Sequence, residues 1–196
     1  MVDVVDETPR GRPRDPRIDE LVLAATRRLL AERGFAETTV QSVARAAGVG
    51  ASAIYRRWPS RIELIESAIF PGLGALDVTP TGDLRADLRQ FVEAYCELFS
   101  SPAARAAVPG LLAAYQSQPE RHRPLVERVG QGVRPAFRAV LAAAPPGTVA
   151  PAVDPDTVLD VLIGAALYRA FIHPFTGRDN QPDQIADLLL RALRPG

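Results

Sequence analysis

Apolar residues recur along this chain at intervals of three and four from one end to the other, and nowhere alternate over a sustained run. Ile18, Leu21, Val22, Ala25 and Leu29 mark the buried face of a first helix. Asp15-Pro16 opens it, a capping acid followed by proline at the first helical position, and Gly34 stops it. Asp19 and Glu20 fall in its first turn and Arg27, Arg28 and Arg33 towards its last, as the helix dipole favours. Two short helices over about 39–47 and 51–57 follow, separated by Gly48-Val-Gly50 and closed by Trp58-Pro59. Thr38-Thr-Val-Gln41 has the form of a capping box, and Ser60-Arg-Ile-Glu63 repeats it for a fourth helix ending at Phe70-Pro-Gly72.

Beyond Gly82 the helices lengthen. Leu84, Leu88, Phe91, Val92, Tyr95 and Phe99 mark one; a second covers about 102–116, broken or kinked at Pro109-Gly110. A third covers about 119–144, with Pro124 and Pro135 inside the pattern, which predicts kinks or a split. After a loop to Pro151, Asp154-Pro155 starts a helix reaching about His173, and 181–194 forms the last, with Ile185, Leu188, Leu189, Ala192 and Leu193 on one face. The pattern therefore predicts an all-α protein of about nine helices. Residues 1–14, charged, Pro-rich and without periodicity, read as a disordered arm.

Composition sharpens this outline in three places. With 196 residues, 47 % of them hydrophobic, the chain suits one compact domain, or a small domain joined to a medium one. One cysteine and two histidines leave neither an internal disulfide nor a Cys/His metal cluster, and no cofactor is expected. The acidic amino end, Met1 to Glu7, has no apolar run behind it and does not read as a secretory signal, and the longest apolar stretch, near Val158–Leu167, is interrupted by Asp160 and too short for a bilayer, so a cytoplasmic protein without a membrane partner is expected. The net charge is +0, but its distribution is uneven: Arg10 to Arg61 holds eleven arginines against five acids, whereas the chain from Ile62 onward holds twelve against fifteen. All 23 basic residues are arginine. Its planar fork suits phosphate, although a GC-rich genome also yields this bias.

The basic region contains Val43-Ala-Arg-Ala-Ala-Gly-Val-Gly-Ala-Ser-Ala-Ile54. Ala44 is small where a second helix would cross, Gly48 permits the tight turn through positive φ, and Val43, Val49 and Ile54 would pack the corner. This spacing describes a helix-turn-helix, which lays its second helix in the DNA major groove. An ordinary corner between helices shares it.

The wider context narrows the choice. From Gly34-Phe35 through Thr38-Thr-Val, Val43-Ala, Ala47-Gly-Val and Tyr55 to Ser60-Arg-Ile-Glu-Leu64, about fifty residues closely resemble the amino-terminal domain of TetR-type transcriptional repressors. The resemblance implies a helix-turn-helix domain over 15–61, a fourth helix linking it onward, and a larger helical effector-binding and dimerisation domain over 62–196. It departs from the family where Ser-Lys-Gly-Thr commonly opens the recognition helix: this chain has Gly50-Ala-Ser-Ala53, a slightly weaker cap with only methyl groups at 51 and 53. Ser60-Arg61 stands for a common serine-lysine pair.

The resemblance and side-chain chemistry together imply the DNA contacts. Tyr55 and Thr39 would donate hydroxyls to phosphates, and Arg61 would clamp another from the start of its helix. Arg56 and Arg57 are candidates for guanine or phosphate, and being adjacent they point apart. Gln41 would read adenine unless its capping role claims it; Arg45 marks a solvated face or a phosphate contact. Gly50, Ala51, Ser52 and Ala53 front the recognition helix, where alanine methyls suit a thymine methyl. Trp58 reads as a core wedge. Upstream, Arg10, Arg12 and Arg14 in Arg10-Gly-Arg-Pro-Arg14 resemble an AT-hook core suited to a narrow minor groove, or else a tail with only long-range attraction.

In the larger domain the helix over 154–173 is apolar nearly all round, and Gly164, Ala165 and Ala166 allow close approach by another helix. With 181–194 it would form the face of a homodimer, which on double-stranded DNA implies a roughly palindromic operator. Tyr95, Cys96, Phe99, Leu112, Tyr115, Phe137, Tyr168, Phe171 and His173 are candidates to line a pocket for a small, largely apolar effector, though each also suits the core. The expected function is a repressor released by that effector. The alternatives are an effector-independent or activating regulator, or a small helical enzyme or ligand-binding protein; against an enzyme, no catalytic order of Ser, His and Asp appears.

Overall fold

In the computed structural model, which describes residues 16–70, 79–176 and 181–195, a small head of one long and two short helices stands on a larger helical body. The head begins with α1 (Pro16–Glu37), which stays helical as far as Gly34, where φ of 78° takes the chain out of the helix. Glycine reaches that left-handed region without a Cβ penalty. The expected Asp15 cap lies outside the described residues. The buried face is Val22, Ala25, Thr26, Leu29 and Leu30, whereas Leu21 is exposed, against expectation. The face is rotated because α1 serves two cores: Val22, Ala25 and Leu29 pack into the head and Leu30 into the body.

The head is completed by α2 (Val40–Ala47) and α3 (Ala51–Tyr55). Its core unites Val22, Ala25, Leu29, Val40, Val43, Ala44, Ile54, Trp58 and Leu64, so Trp58 is the expected wedge. The capping box of α2 sits one residue later than expected. Thr39 Oγ1 accepts from Ser42 N at 3.1 Å while Ser42 Oγ accepts from Thr39 N at 2.9 Å. Thr38 instead turns back and donates its hydroxyl to Gly34 O at 2.8 Å. Two adjacent threonines offer the same local chemistry, and the turn at Gly34 chooses between them.

Helix α4 (Arg61–Ile69) joins head to body. Ser60 accepts from Glu63 N, as expected of its cap, but donates its own hydroxyl to the Glu63 carboxylate, so the box is only half closed. In the body, α5 (Leu84–Ser100), α6 (Pro102–Ser117), α7 (Pro119–Ala143), α8 (Pro155–Phe171), the single turn α9 (His173–Thr176) and α10 (Pro182–Leu193) follow. Asp83 and Asp154 cap α5 and α8 through the first free amides. Neither α6 nor α7 is split: each runs continuously through its internal prolines. Each such proline removes one ladder bond, and the turns on either side remain bonded. Helix α8 ends at Phe171, two residues earlier than expected, and His173 opens α9.

The body's core runs from Leu84, Leu88, Phe91 and Val92 on α5 across Phe137 and Val140 on α7 to Leu159 and Leu162 on α8 and Leu189 and Leu193 on α10. Phe91 and Phe137 meet edge to face at 5.2 Å. Head and body are tied in several places. Arg27 of α1 donates to Ala68 O of α4 at 3.2 Å, and buried Glu66 of α4 meets buried His122 of α7 at 3.3 Å. The Tyr115 ring of α6 lies 4.6 Å from the His122 ring.

Candidate DNA-reading head and body groove

Gly48 makes the corner between α2 and α3, with φ of 70° and ψ of 28°. Its amide reaches back to Ala44 O and Arg45 O, closing α2 while the chain turns. Ala44 is buried at the crossing, and Val43 and Ile54 are fully enclosed. The outer surface of the two helices then carries Gln41 and Arg45, four residues apart on α2, with Ser52 and Tyr55 on α3 and Arg56 just beyond. All five are exposed; Tyr55 retains 45 % of its surface. Gly50 is exposed and Ala51 and Ala53 are half-buried. The shift of the capping box to Ser42 leaves the Gln41 side chain free of that duty. Thr39 is exposed, its oxygen accepting as the cap.

Two expected contacts are occupied within the protein. Arg57 turns inward: its Nε pairs with Asp19 of α1 and its guanidinium donates to Ala53 O at 3.1 Å, leaving the side chain 6 % exposed. Arg61 donates through Nε to Thr38 O at 2.6 Å and through its second nitrogen to Phe35 O, with its guanidinium over the Phe35 ring at 4.3 Å. Burial lowers its pKa from the usual arginine value. Arg10, Arg12 and Arg14 lie outside the described residues.

The nine effector candidates fall into separate groups. Tyr95, Cys96, Phe99 and Phe137 lie in the body's core. The Tyr95 hydroxyl is buried with no hydrogen-bond partner among the described residues, and burial raises its pKa, opposed by the charge of Arg134. Burial likewise raises the Cys96 thiol. Tyr115 belongs with His122, and the buried His173 Nε2 has no partner among the described residues. Leu112, Tyr168 and Phe171 line an open apolar groove of about 400 Å³ between α6 and α8, together with Val108, Pro109, Gly164, Leu167 and Ile172. Sequence reasoning missed those five because an apolar residue on a helix reads as core until its neighbours are known.

Among the described residues no group of three His, Cys, Asp or Glu side chains is placed to hold a metal ion. No helix there is long and apolar enough to cross a membrane.

A head of this geometry on an all-helical body defines a regulator of the helix-turn-helix type, and comparison with known proteins agrees. The family model described as bacterial regulatory proteins, tetR family, matches residues 22–68, and that of the tetracyclin repressor-like C-terminal domain matches 78–189. The chain belongs to the TetR family of transcriptional regulators, DNA-binding proteins rather than enzymes. It is 30 % identical to an uncharacterized HTH-type transcriptional regulator of Mycobacterium tuberculosis, covering 98 % of this chain and 96 % of the relative. It is 25 % identical to the uncharacterized HTH-type regulator YdeS of Bacillus subtilis, over 96 % and 94 %. Among solved structures, the TetR family transcription regulator SCO0332 superposes with a TM-score of 0.62 at 27 % identity, over 90 % of this chain and 97 % of that one. The multidrug binding protein EbrR, crystallised with imidazole, has the same fold at 18 % identity, with a TM-score of 0.61 over 96 % and 98 %.

Proposed function

We propose that this regulator is a dimeric, cytoplasmic repressor that leaves a roughly palindromic operator when a small, largely apolar effector binds its body. The observation that carries the DNA reading is the exposed set Gln41, Arg45, Ser52, Tyr55 and Arg56 on an otherwise packed three-helix head. Gln41 and Arg56 have the functional groups for adenine and guanine edges, and Tyr55, Arg45 and Thr39 those for phosphates.

The dimer reading rests on where large apolar side chains stay in water. Val161 at 54 % exposure, Tyr168 at 51 % and Ile172 run along one stripe of α8 and just past its end, with Leu188 on α10. Gly164 lies in the same stripe, and a Cβ there would meet nothing within 4 Å, so another helix can approach closely. Faces of α8 and α10 meeting their copies would cover this apolar stripe; stable pairs typically bury ~1,200–2,000 Å² in all. The effector reading draws on the apolar α6–α8 groove, which shares Gly164, Tyr168 and Ile172 with that stripe and would therefore open onto the dimer seam, and on the Tyr95 hydroxyl, which has no hydrogen-bond partner among the described residues. An effector favouring a conformation with misplaced heads by ~1.4 kcal/mol lowers operator affinity tenfold.

Selection of duplexes from a randomised library by the full chain tests the proposal. The expected product is a two-fold repeat with half-sites ~34–36 Å apart, bound with a log-log salt slope of about −0.9 per phosphate neutralised. Recovery of no preferred duplex, or of a single half-site bound by one protomer, refutes it.

A further inference from the structure

The apolar groove between α6 and α8 is unfinished on one side. Buried Val108 and the half-buried Leu167 and Phe171 make its floor, and exposed Gly164, Tyr168 and Ile172 make its rim on the α8 side. With Val161 before them and Phe175 after them, these rim residues follow one another at intervals of three and four, along a single stripe of α8 and α9. Phe175 is the extreme of that stripe, at 88 % exposure. A surface that covers the stripe therefore also covers the mouth of the groove. Two copies meeting across a two-fold axis present the same patch to each other, so the partner's stripe lies over each mouth. Gly164 sits on the line where groove and stripe meet. A Cβ there would meet nothing within 4 Å, which leaves the α8 backbone open to a flat occupant as well as to the partner.

The lining fixes the class of that occupant. No lining residue is charged, and the Tyr168 hydroxyl is the one polar side-chain atom among them. An ionised ligand would lose its hydration with nothing to pair it. We infer that the α6–α8 groove is a site shared between subunits: it takes an uncharged, mostly apolar molecule with at most one hydrogen-bonding group, and the partner supplies the missing wall. In a single chain such a molecule keeps one side in water, whereas in the pair that apolar side is buried, and burial is what drives binding of this kind. The linkage is reciprocal: the factor by which pairing tightens the ligand is the factor by which the ligand tightens pairing. Occupancy of the groove and dimerisation thus regulate one another. The inference rests on the dimer and effector readings above.

The test uses the full chain and N-phenylnaphthylamine, an uncharged aromatic dye that brightens when it leaves water. The wild-type dimer is expected to bind the dye, and saturating dye to tighten pairing by about tenfold or more in analytical ultracentrifugation. Val161→Glu changes the stripe and leaves the groove lining intact. Its monomers are expected to bind the dye roughly tenfold or more weakly. Leu112→Glu changes the groove from α6 and leaves the stripe intact, and is expected to lose the dye while pairing normally without it. Monomers that bind the dye as tightly as the wild type overturn the shared site, and leave the effector reading standing within one subunit. A wild type that is itself monomeric, or a Val161→Glu chain that still pairs, sinks the dimer reading and the shared site with it. A dimer that binds no dye, or a Leu112→Glu dimer that binds it undiminished, overturns the groove as the site. If Val161→Glu folds poorly, Leu188→Glu on exposed α10 surface outside the groove gives the same comparison.

Discussion

Adjacent arginines at the end of α3 should behave as opposites. Arg56 is exposed, whereas Arg57 is bonded to Asp19 and to Ala53 O with a side chain 6 % exposed. Removing Arg57 strands an acid, but Asp19 keeps 37 % exposure and water can resolvate it. The full ~3–5 kcal/mol penalty for breaking a buried pair is therefore too large. Loss of two hydrogen bonds from a charged donor, discounted for that solvation, leaves roughly 1–2 kcal/mol. For a chain of this size that lowers Tm by about 3–6 °C. Arg57→Ala should thus show a lower melting temperature by circular dichroism, and Asp19→Ala should show no further loss when added to it. Arg56→Ala should melt like the wild type yet bind the selected operator less tightly. A lost base contact costs ~1–3 kcal/mol per half-site, so two half-sites at the low end give about thirtyfold. A lost phosphate contact would instead reduce the salt slope by about 0.9 per head. An Arg57→Ala protein of unchanged stability that no longer binds DNA would refute this assignment, as would an Arg56→Ala protein that binds normally.

Gly48→Ala should cost ~1–2 kcal/mol through left-handed backbone strain alone, since a Cβ there meets no atom within 4 Å; no change in Tm would contradict this. Val161→Glu on the exposed stripe of α8 should convert the dimer to monomers in analytical ultracentrifugation with helical content intact; a persistent dimer would place the interface elsewhere. Burial raises the Cys96 thiol, so less thiolate forms at pH 8 than in a free cysteine, and a thiol reagent should label the native chain far more slowly than the unfolded one. Equal labelling rates would contradict that. Deleting residues 1–14 should weaken binding chiefly to operators with A·T-rich flanks; equal loss on all flanks would leave only long-range attraction for the arginines of the arm.

What the amino-acid order settled by itself was local. Helical periodicity, the cap Asp154 and the turn at Gly48 involve residues within four positions of one another, so their chemistry is complete in a short window. The basic head and its resemblance to TetR-type domains were legible for the same reason. Even within such a window, Thr38 and Thr39 were interchangeable until the Gly34 turn assigned one to the cap. Tertiary structure decided which charges were free to act. Arg57 finds its carboxylate 38 positions away, and Arg61 finds its carbonyls 23 and 26 positions away. An arginine aimed at phosphate and one aimed at a distant acid are the same residue in one dimension. Only packing, which brings α1 against α2 and α3 and lays the Phe35 ring under Arg61, determines which of them water or DNA can reach.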